Sequence, residues 1–191
     1  MTSSTNLYSL TTVKDVDVIV LRPSVDPETL KRLICARFPD IFYLKPPRNR
    51  RNFWKKLYMR IPRTRHKIKI DILLPTEKNL EVPDGFHHNH FVQINGLPVA
   101  PLYFVLYHKL LGWEDRVRSK EQWKKVKAVE VDYPDIIRIC ERLREYGVWP
   151  LSKTHLGRLY KDNFQRRAAL FCSCYAGDLP KIRFQRIGFD V

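Results

Sequence analysis

Lys67-Ile68-Lys69-Ile70-Asp71-Ile72-Leu73-Leu74-Pro75 is the segment that decides the fold, because its apolar and polar residues alternate with a period of two. Alternation over this length predicts a half-buried β-strand. The three isoleucines lie on one face of that strand, so Lys69 and Asp71 lie on the other. The sequence therefore predicts a sheet with one apolar face and one charged face.

The earlier segment Lys14-Asp15-Val16-Asp17-Val18-Ile19-Val20 has the same period and leaves Asp15 and Asp17 together on its polar face. If the two strands are neighbours, these two carboxylates meet that of Asp71. Three like charges raise each other's pKa unless a cation lies among them. The pattern predicts a site for Mg²⁺ or Mn²⁺, of the kind that supports nucleotidyl transfer. The alternative is three solvent-exposed acids at strand ends.

Size and composition are those of a globular protein, with 191 residues, 44% of them apolar and 29% charged. We expect one domain, with a mixed-sheet part over residues 1–99 and a helical part over residues 100–191. No apolar run reaches the length of a membrane span and the first residues lack signal-peptide features, so we expect an intracellular protein, cytoplasmic or nuclear. The four cysteines fit neither a disulfide scaffold nor a metal-finger spacing.

Basic charge is concentrated in one run. Lys plus Arg number 35 against 20 for Asp plus Glu, and the net charge of +15 predicts a polyanionic partner. Residues 45–69, a predicted basic hairpin, contain eleven basic residues and no acid. Phe53, Trp54 and Tyr58 are interleaved with them, as suits the bases and phosphates of single strands. The alternative is a solvated hairpin with its aromatic residues in the core.

We expect nucleic acid, RNA in preference to DNA, to be the polyanion, and we expect no membrane contact because a helix with a clean basic face is missing. The nucleic-acid contacts are expected at Arg48, Arg50, Arg51, Lys55, Lys56, Arg60, Arg63 and Arg65.

Cap and turn signals frame the other elements. Asp26 predicts the N-cap of a helix that ends near Phe38, and Asn95-Gly96 predicts a hairpin turn. Asp132 predicts a second N-cap, with Asp135 as its partner in a capping box. Helices are further expected over residues 101–113, 133–146 and 154–171, and strands over residues 41–44, 53–61, 91–94 and 97–99. Residues 181–187 predict either an edge strand or more phosphate contact.

Four parts of the sequence together resemble the nucleotidyltransferase-fold superfamily, whose sheet is similar to the palm of polymerase β. They are Asp15-x-Asp17, Asp71 on its alternating strand, Gly96-Leu97-Pro98-Val99-Ala100-Pro101, and Lys109-Leu110-Leu111-Gly112-Trp113-Glu114-Asp115-Arg116. Closest in appearance are the toxin-type nucleotidyltransferases of abortive-infection systems and their uncharacterised fungal relatives. The resemblance spans residues 13–139.

This resemblance implies an α/β (α+β) fold, a mixed palm-like sheet followed by a helical C-terminal part. It also implies transfer of a nucleoside monophosphate from an NTP to a hydroxyl, for example on RNA. Asp15 and Asp17 would bind Mg²⁺ or Mn²⁺ and Asp71 would complete the site. Lys109 would meet the phosphates of the nucleotide.

One feature departs from the family, which carries a Gly-Gly or Gly-Ser turn before the Asp-x-Asp strand to hold phosphate. Ser3-Ser4 stand about there in this chain, and the first glycine is Gly85. Two functions stay open: a nucleotidyltransferase, or a degenerate or truncated, inactive module that binds nucleic acid or a protein through its basic surface. Lys109, among apolar helix positions, correspondingly has two candidate partners, a bound phosphate or an acid of the protein such as Glu114 or Asp115.

Overall fold

The structure is a computed structural model that describes residues 15–21, 24–47, 53–75, 80–82, 86–147 and 155–191, with the backbone alone at residues 155–159 and 161. The chain divides into two compact units, Met1–Glu81 and Val82–Val191. This division falls earlier than the boundary at residue 99 expected between sheet and helices, while the prediction of a single domain stays a prediction. Ser3, Ser4, Arg48, Arg50 and Arg51 lie outside the described residues.

The first unit is built on a four-stranded sheet. Its strands are β1 (Asp15–Ile19), β2 (Phe42–Lys45), β3 (Lys56–Arg60) and β4 (Lys67–Leu73), in the spatial order β1-β4-β3-β2. β1 runs parallel to β4, whereas β3 is antiparallel to both of its neighbours. The sheet is therefore mixed, and the two strands that carry the predicted acids are neighbours.

One face of this sheet forms the core of the first unit. The helix α1 (Pro27–Arg37) packs on that face, and two amides of its first turn donate to Asp26, which confirms the predicted N-cap. Each isoleucine or leucine buried here stabilises the fold by about 1.5–3 kcal/mol. The side chains of this core include Leu30, Ile34, Leu57, Met59, Ile68, Ile70 and Ile72.

The second unit opens with a hairpin and continues as helices. β5 (Val92–Ile94) and β6 (Leu97–Val99) pair antiparallel around Asn95 and Gly96, whose φ angles of 51° and 78° confirm the predicted tight turn. These strands pair only with each other among the described residues, and so form a separate two-stranded sheet. The helices are α2 (Leu102–Arg118), α3 (Gln122–Lys127), α4 (Tyr133–Glu145), α5 (His155–Cys174) and α6 (Leu179–Gln185), with a 3-10 turn at His88–His90 and a π-helical turn at Ala128–Asp132.

α2 is the central helix of the second unit and runs five residues beyond its predicted end. Gly112 weakens a helix by about 1 kcal/mol, but the next two residues, Trp113 and Glu114, are both buried. The Glu114 carboxylate accepts hydrogen bonds from Arg166 at 2.7 and 2.9 Å and from Arg167 at 2.8 Å. The hydrogen bonds from Arg166, followed by those from Arg167, lower the pKa of Glu114 to about 2. These ion pairs join α2 to α5.

The predicted capping of α4 by Asp132 is wrong. The chain is already helical through α3 and the π-helical turn, so Asp132 has the helical angles φ −73° and ψ −39°. Its buried carboxylate pairs with Arg116 of α2 instead. Asp135 likewise is not the partner in a capping box, because its carboxylate pairs with Lys109. The N-cap prediction is wrong because α3, which the sequence did not predict, makes the chain helical before Asp132.

The edge strand expected over residues 181–187 is also wrong, since α6 begins at Leu179 and ends at Gln185. The alternation of basic and apolar residues in this segment imitates a strand. Phe184 in α6 and Ile187 in the turn directly after it lie three residues apart and are both fully buried. In a strand these two side chains would lie on opposite faces. Burial of these two side chains therefore decides the local structure.

Candidate functional site

The structure brings the three predicted acids to one side of the sheet. In the register of β1 and β4, Asp17 stands opposite Asp71 and Asp15 stands opposite Lys69. Because side chains alternate along each strand, these four residues share the face opposite the apolar core. The convergence that the sequence predicted on condition of neighbouring strands is thus present in the backbone register.

Lys69 lies among these carboxylates. Its Nζ is 2.7 Å from Asp71 Oδ2 and 3.6 Å from Asp15 Oδ1. Partial burial disfavours the charged form, but the hydrogen bond and charge of Asp71, and then the charge of Asp15, raise the pKa of Lys69. The sequence analysis did not assign this role to Lys69, although its place two residues before Asp71 on the same face was a visible signal.

Asp15, Asp17 and Asp71 are the residues that would hold a divalent metal. Among the described residues, however, no group of three or more His, Cys, Asp or Glu side chains is arranged to hold a metal ion. The Lys69 ammonium is hydrogen-bonded to Asp71 and forms a longer ion pair with Asp15, two of the three carboxylates that Mg²⁺ would use. As placed, this cluster does not fit a metal, and a fit would require Lys69 to turn away.

Lys109 pairs with an acid of the protein. Its Nζ is 2.7 Å from Asp135 Oδ2, and the two side chains are 36% and 35% exposed. The sequence left a phosphate and an acid open as partners of Lys109, and the contact found is with an acid, Asp135 of α4. Spacing along the chain could not identify Asp135, because the pairing depends on how α4 packs on α2. The phosphate contact of Lys109 stays a prediction.

The charged face of the sheet also carries aromatic rings next to cations. Tyr43 on β2 stands opposite Tyr58 on β3, and their rings stack with centroids 5.6 Å apart and planes at 20°. The Arg60 guanidinium lies 4.5 Å from the Tyr43 ring centroid, and the Lys67 ammonium lies 5.4 Å from that of Tyr58. We call these four residues the tyrosine platform. Tyr43 was not predicted, because Phe42-Tyr43-Leu44 alone does not show which face is open.

Like charges face each other across the strands of this surface. Lys45 is directly opposite Lys56, and Arg60 is directly opposite Lys67. Such pairs destabilise a sheet, by roughly the 0.2–1 kcal/mol that an opposite-charge pair contributes. α1, the one helix in the described part of the first unit, packs on the other face. The facing cations on this surface therefore do not contribute to the stability of the sheet.

The segment before β3 adds exposed aromatic side chains. Phe53 is 95% exposed and Trp54 is 46% exposed, so the alternative that places them in the core is wrong. The Lys56 ammonium lies 5.8 Å from the centroid of the Trp54 ring. The backbone here is fixed rather than loose, because the amide of Lys55 donates to Glu28 Oε2 of α1 at 3.0 Å.

The predicted basic contacts within the described residues lie around this surface. Lys55, Arg60, Arg63 and Arg65 are exposed, and Lys56 is partly buried. Arg63 has a φ of 63° in the turn between β3 and β4, which places it at the tip of the predicted basic hairpin. The position of the Arg60 side chain is fixed by a hydrogen bond, because its Nη1 donates to the carbonyl of Pro39 at 3.0 Å.

Comparisons of the chain with protein-family models, with curated proteins and with solved structures find no match. The nucleotidyltransferase fold accordingly stays a prediction, and the mixed α+β architecture is what the structure shows. In the described part of the chain, no helix is both long and apolar enough to cross a membrane.

Proposed function

We propose that this protein binds single-stranded nucleic acid on the charged face of its four-stranded sheet, with RNA as the ligand to test first. The observation that carries the proposal is the tyrosine platform, two stacked rings flanked by Arg60 and Lys67. Both tyrosines are partly exposed, and an aromatic ring that is open to solvent stacks on a base with about 1–3 kcal/mol, whatever the base. A guanidinium or ammonium beside the ring is within reach of the adjoining phosphate.

Single strands suit this surface better than duplexes. In a duplex the bases are stacked on one another, so their faces are not available to a protein ring. A strand over β2 and β3 would meet Tyr43 and Tyr58 together with Lys45 and Lys56. The anionic phosphates would also relieve the repulsion between the lysines that face each other across these strands.

The acids and the tyrosines lie on different strands of the sheet face. Asp15, Asp17 and Asp71 lie on β1 and β4, toward one edge of the sheet, whereas the tyrosines lie on β2 and β3. Carboxylates repel phosphates, so the nucleic-acid strand lies over β2 and β3 rather than over β1. In this arrangement Lys69 neutralises part of the charge of the acids and so weakens their repulsion of the bound strand.

The proposal is tested by fluorescence anisotropy of an end-labelled oligouridylate of about 20 nucleotides. Tyr58→Leu keeps the apolar bulk and removes the stacking ring, so affinity falls roughly tenfold. Tyr146→Leu is the matched control, because Tyr146 is an exposed tyrosine of the second unit and lies outside the platform. Equal affinity of the two variants would rule out the platform as the binding surface.

The charges are tested through the salt dependence of the same binding. Replacing Lys55, Lys56 and Lys67 by Gln removes three cations, and the slope of log affinity against log salt decreases by about 2. The control replaces Arg138, Arg142 and Arg144 by Gln, an equal charge change at exposed positions of α4 in the second unit. A control variant with the same loss of slope would show that only net charge matters.

A second candidate, nucleotidyl transfer, is favoured by one observation, the register that sets Asp17 opposite Asp71. This candidate requires Lys69 to turn away from Asp15 and Asp71, so that these carboxylates could hold a divalent ion in its place. The test is incorporation of labelled nucleotide into RNA with Mg²⁺ or Mn²⁺, together with the melting temperature with and without the ion. Asp17→Asn should abolish both the incorporation and the thermal shift. An equal thermal shift in Asp17→Asn would exclude a metal at this place.

A further inference from the structure

The helix α3 exposes an indole ring between lysines. Trp123 is 56% exposed, and none of the residues of α3 is buried. The Lys124 ammonium lies 5.4 Å from the centroid of that ring, and the Lys127 ammonium lies 5.3 Å from it. An exposed tryptophan forgoes the burial that makes this residue stabilising in a core. Trp123 therefore contributes little to the packing of the second unit.

The ring is nevertheless held in one orientation. The Trp123 Nε1–H donates to Glu121 Oε2 at 2.6 Å, and the Lys124 ammonium donates to the other oxygen of the same carboxylate. Glu121 thus fixes the edge of the indole and leaves its faces to the lysines and to solvent. A ring fixed in this way loses less conformational entropy when a planar group stacks on it.

Positive charge accumulates around this ring. α3 contains three lysines in six residues and no acid of its own. Lys124 and Lys127 are three residues apart on one helix, a spacing at which like charges repel. The π-helical turn Ala128–Asp132 follows directly, and such turns occur frequently at functional sites. An exposed indole with two ammonium groups beside it, of which Lys124 is also paired with Glu121, offers the groups that bind a base and its phosphates.

We propose that Trp123, Lys124 and Lys127, here called the Trp123 site, are a second binding site for single-stranded nucleic acid. The ring stacks on one base while the lysines contact the flanking phosphates. The Trp123 site deepens the proposed function, on which it rests for the ligand class.

An anionic membrane surface is the competing ligand of a basic helix with an exposed tryptophan. Insertion of the indole into a bilayer would carry its bonded partner, the Glu121 carboxylate, toward the apolar phase, which is costly for a charge. Stacking on a base leaves the carboxylate at the edge of the ring in water.

The test uses the fluorescence of Trp123 in the full-length protein. Trp54→Phe and Trp149→Phe leave two tryptophans, of which Trp113 is fully buried and does not report on ligands. An oligouridylate of about 20 nucleotides then quenches the remaining exposed indole in a saturable way, because a stacked base quenches it. Adding Trp123→Ala abolishes the quenching and lowers the affinity, measured by anisotropy, about tenfold.

The outcomes separate this inference from the proposed function. Quenching that persists when Tyr58→Leu is added, without any effect of Tyr58→Leu on affinity, supports the Trp123 site and contradicts the platform. Binding of the oligonucleotide without quenching overturns the Trp123 site and leaves the platform untouched. Vesicles of phosphatidylserine and phosphatidylcholine that shift the Trp123 emission to the blue, with no response to the oligonucleotide, overturn the inference in favour of a membrane.

Discussion

The charged sheet face of the first unit and the helix pairings of the second unit use charge in opposite ways. In the second unit, Asp132 is 1% exposed and Glu114 is 4% exposed, and each is bonded to an arginine of another element. On the sheet, Arg60 and Lys67 face each other across strands and lie over tyrosine rings. Buried carboxylates with fixed partners hold helices together, whereas cations opposite cations do not stabilise a sheet.

The difference indicates where the partner of each charge lies. A charge whose counter-ion is in the protein is part of the fold, and its removal strands the counter-ion at a cost in stability. A charge repelled by its neighbours is available to a ligand, and its removal costs binding instead. The comparison predicts large losses of stability in the second unit and small ones on the sheet.

The largest effect is expected for Glu114→Gln. The change leaves Arg167, which is 3% exposed, without its carboxylate, and breaking such a buried pair costs about 3–5 kcal/mol. Urea unfolding measures the loss. The control is Glu145→Gln, an exposed partner of Arg142 at 2.7 Å, which costs less than about 1 kcal/mol. Equal losses in the two variants would show that burial does not distinguish these ion pairs.

The pH dependence of stability sharpens the same point. The pKa of Glu114 is lowered to about 2 in the folded protein from 4.5, chiefly by Arg166. A depressed pKa contributes stability that is complete above the unfolded value and is lost as pH falls from about 4.5 toward 2. This loss amounts to about 3 kcal/mol for Glu114. Urea midpoints between about pH 7 and pH 3 should therefore fall less steeply in Glu114→Gln than in the natural protein.

The strand faces could be predicted from the sequence because they depend only on alternation. The period of two placed Asp71 opposite the isoleucines of its own strand, and the register set it beside Asp17. What the pattern could not show is competition among partners. Lys69 takes the place expected for a metal, and Asp135 takes the place expected for a phosphate on Lys109. The Lys69 pairing is indicated by its place two residues before Asp71 on the same face, whereas the Lys109 pairing is decided only by the packing of α4 on α2.

Helix boundaries were missed for a related reason. The Asp132 signal for a cap was real in the sequence, but α3 and the π-helical turn had already supplied helical turns before it. The basic and apolar alternation of residues 181–187 was overruled by burial of Phe184 and Ile187. In both cases tertiary packing outweighed a local preference of at most about 1 kcal/mol per residue.

A smaller effect is expected for Lys109→Met. The pair with Asp135 is about one-third exposed, and Arg138 Nη1 also lies 4.0 Å from Asp135, so the carboxylate keeps a partner. We expect a loss of about 1–2 kcal/mol in urea unfolding, and no change of melting temperature with ATP in either protein. An ATP-dependent stabilisation that disappears in Lys109→Met would instead identify the lysine as a phosphate ligand and favour nucleotidyl transfer.

The smallest effect on stability is expected for the double variant Lys56→Gln and Lys67→Gln. Each change removes a cation–π contact of about 0.5 kcal/mol and at the same time relieves repulsion, since Lys56 faces Lys45 and Lys67 faces Arg60. The two terms are of similar size and opposite sign. The free energy of unfolding in urea should then change by less than about 0.5 kcal/mol in either direction.

Nucleic-acid affinity of this double variant should fall even though its fold is unchanged, by several-fold at low salt and less at high salt, because two phosphate contacts are lost. The comparison between the units requires that affinity falls while the free energy of unfolding stays the same. A loss of more than about 2 kcal/mol in stability would show that these lysines serve the sheet as Arg167 serves the helices. If both stability and affinity are unchanged, no ligand balances the repulsion across the strands. That result would show that the sheet face is not the binding surface.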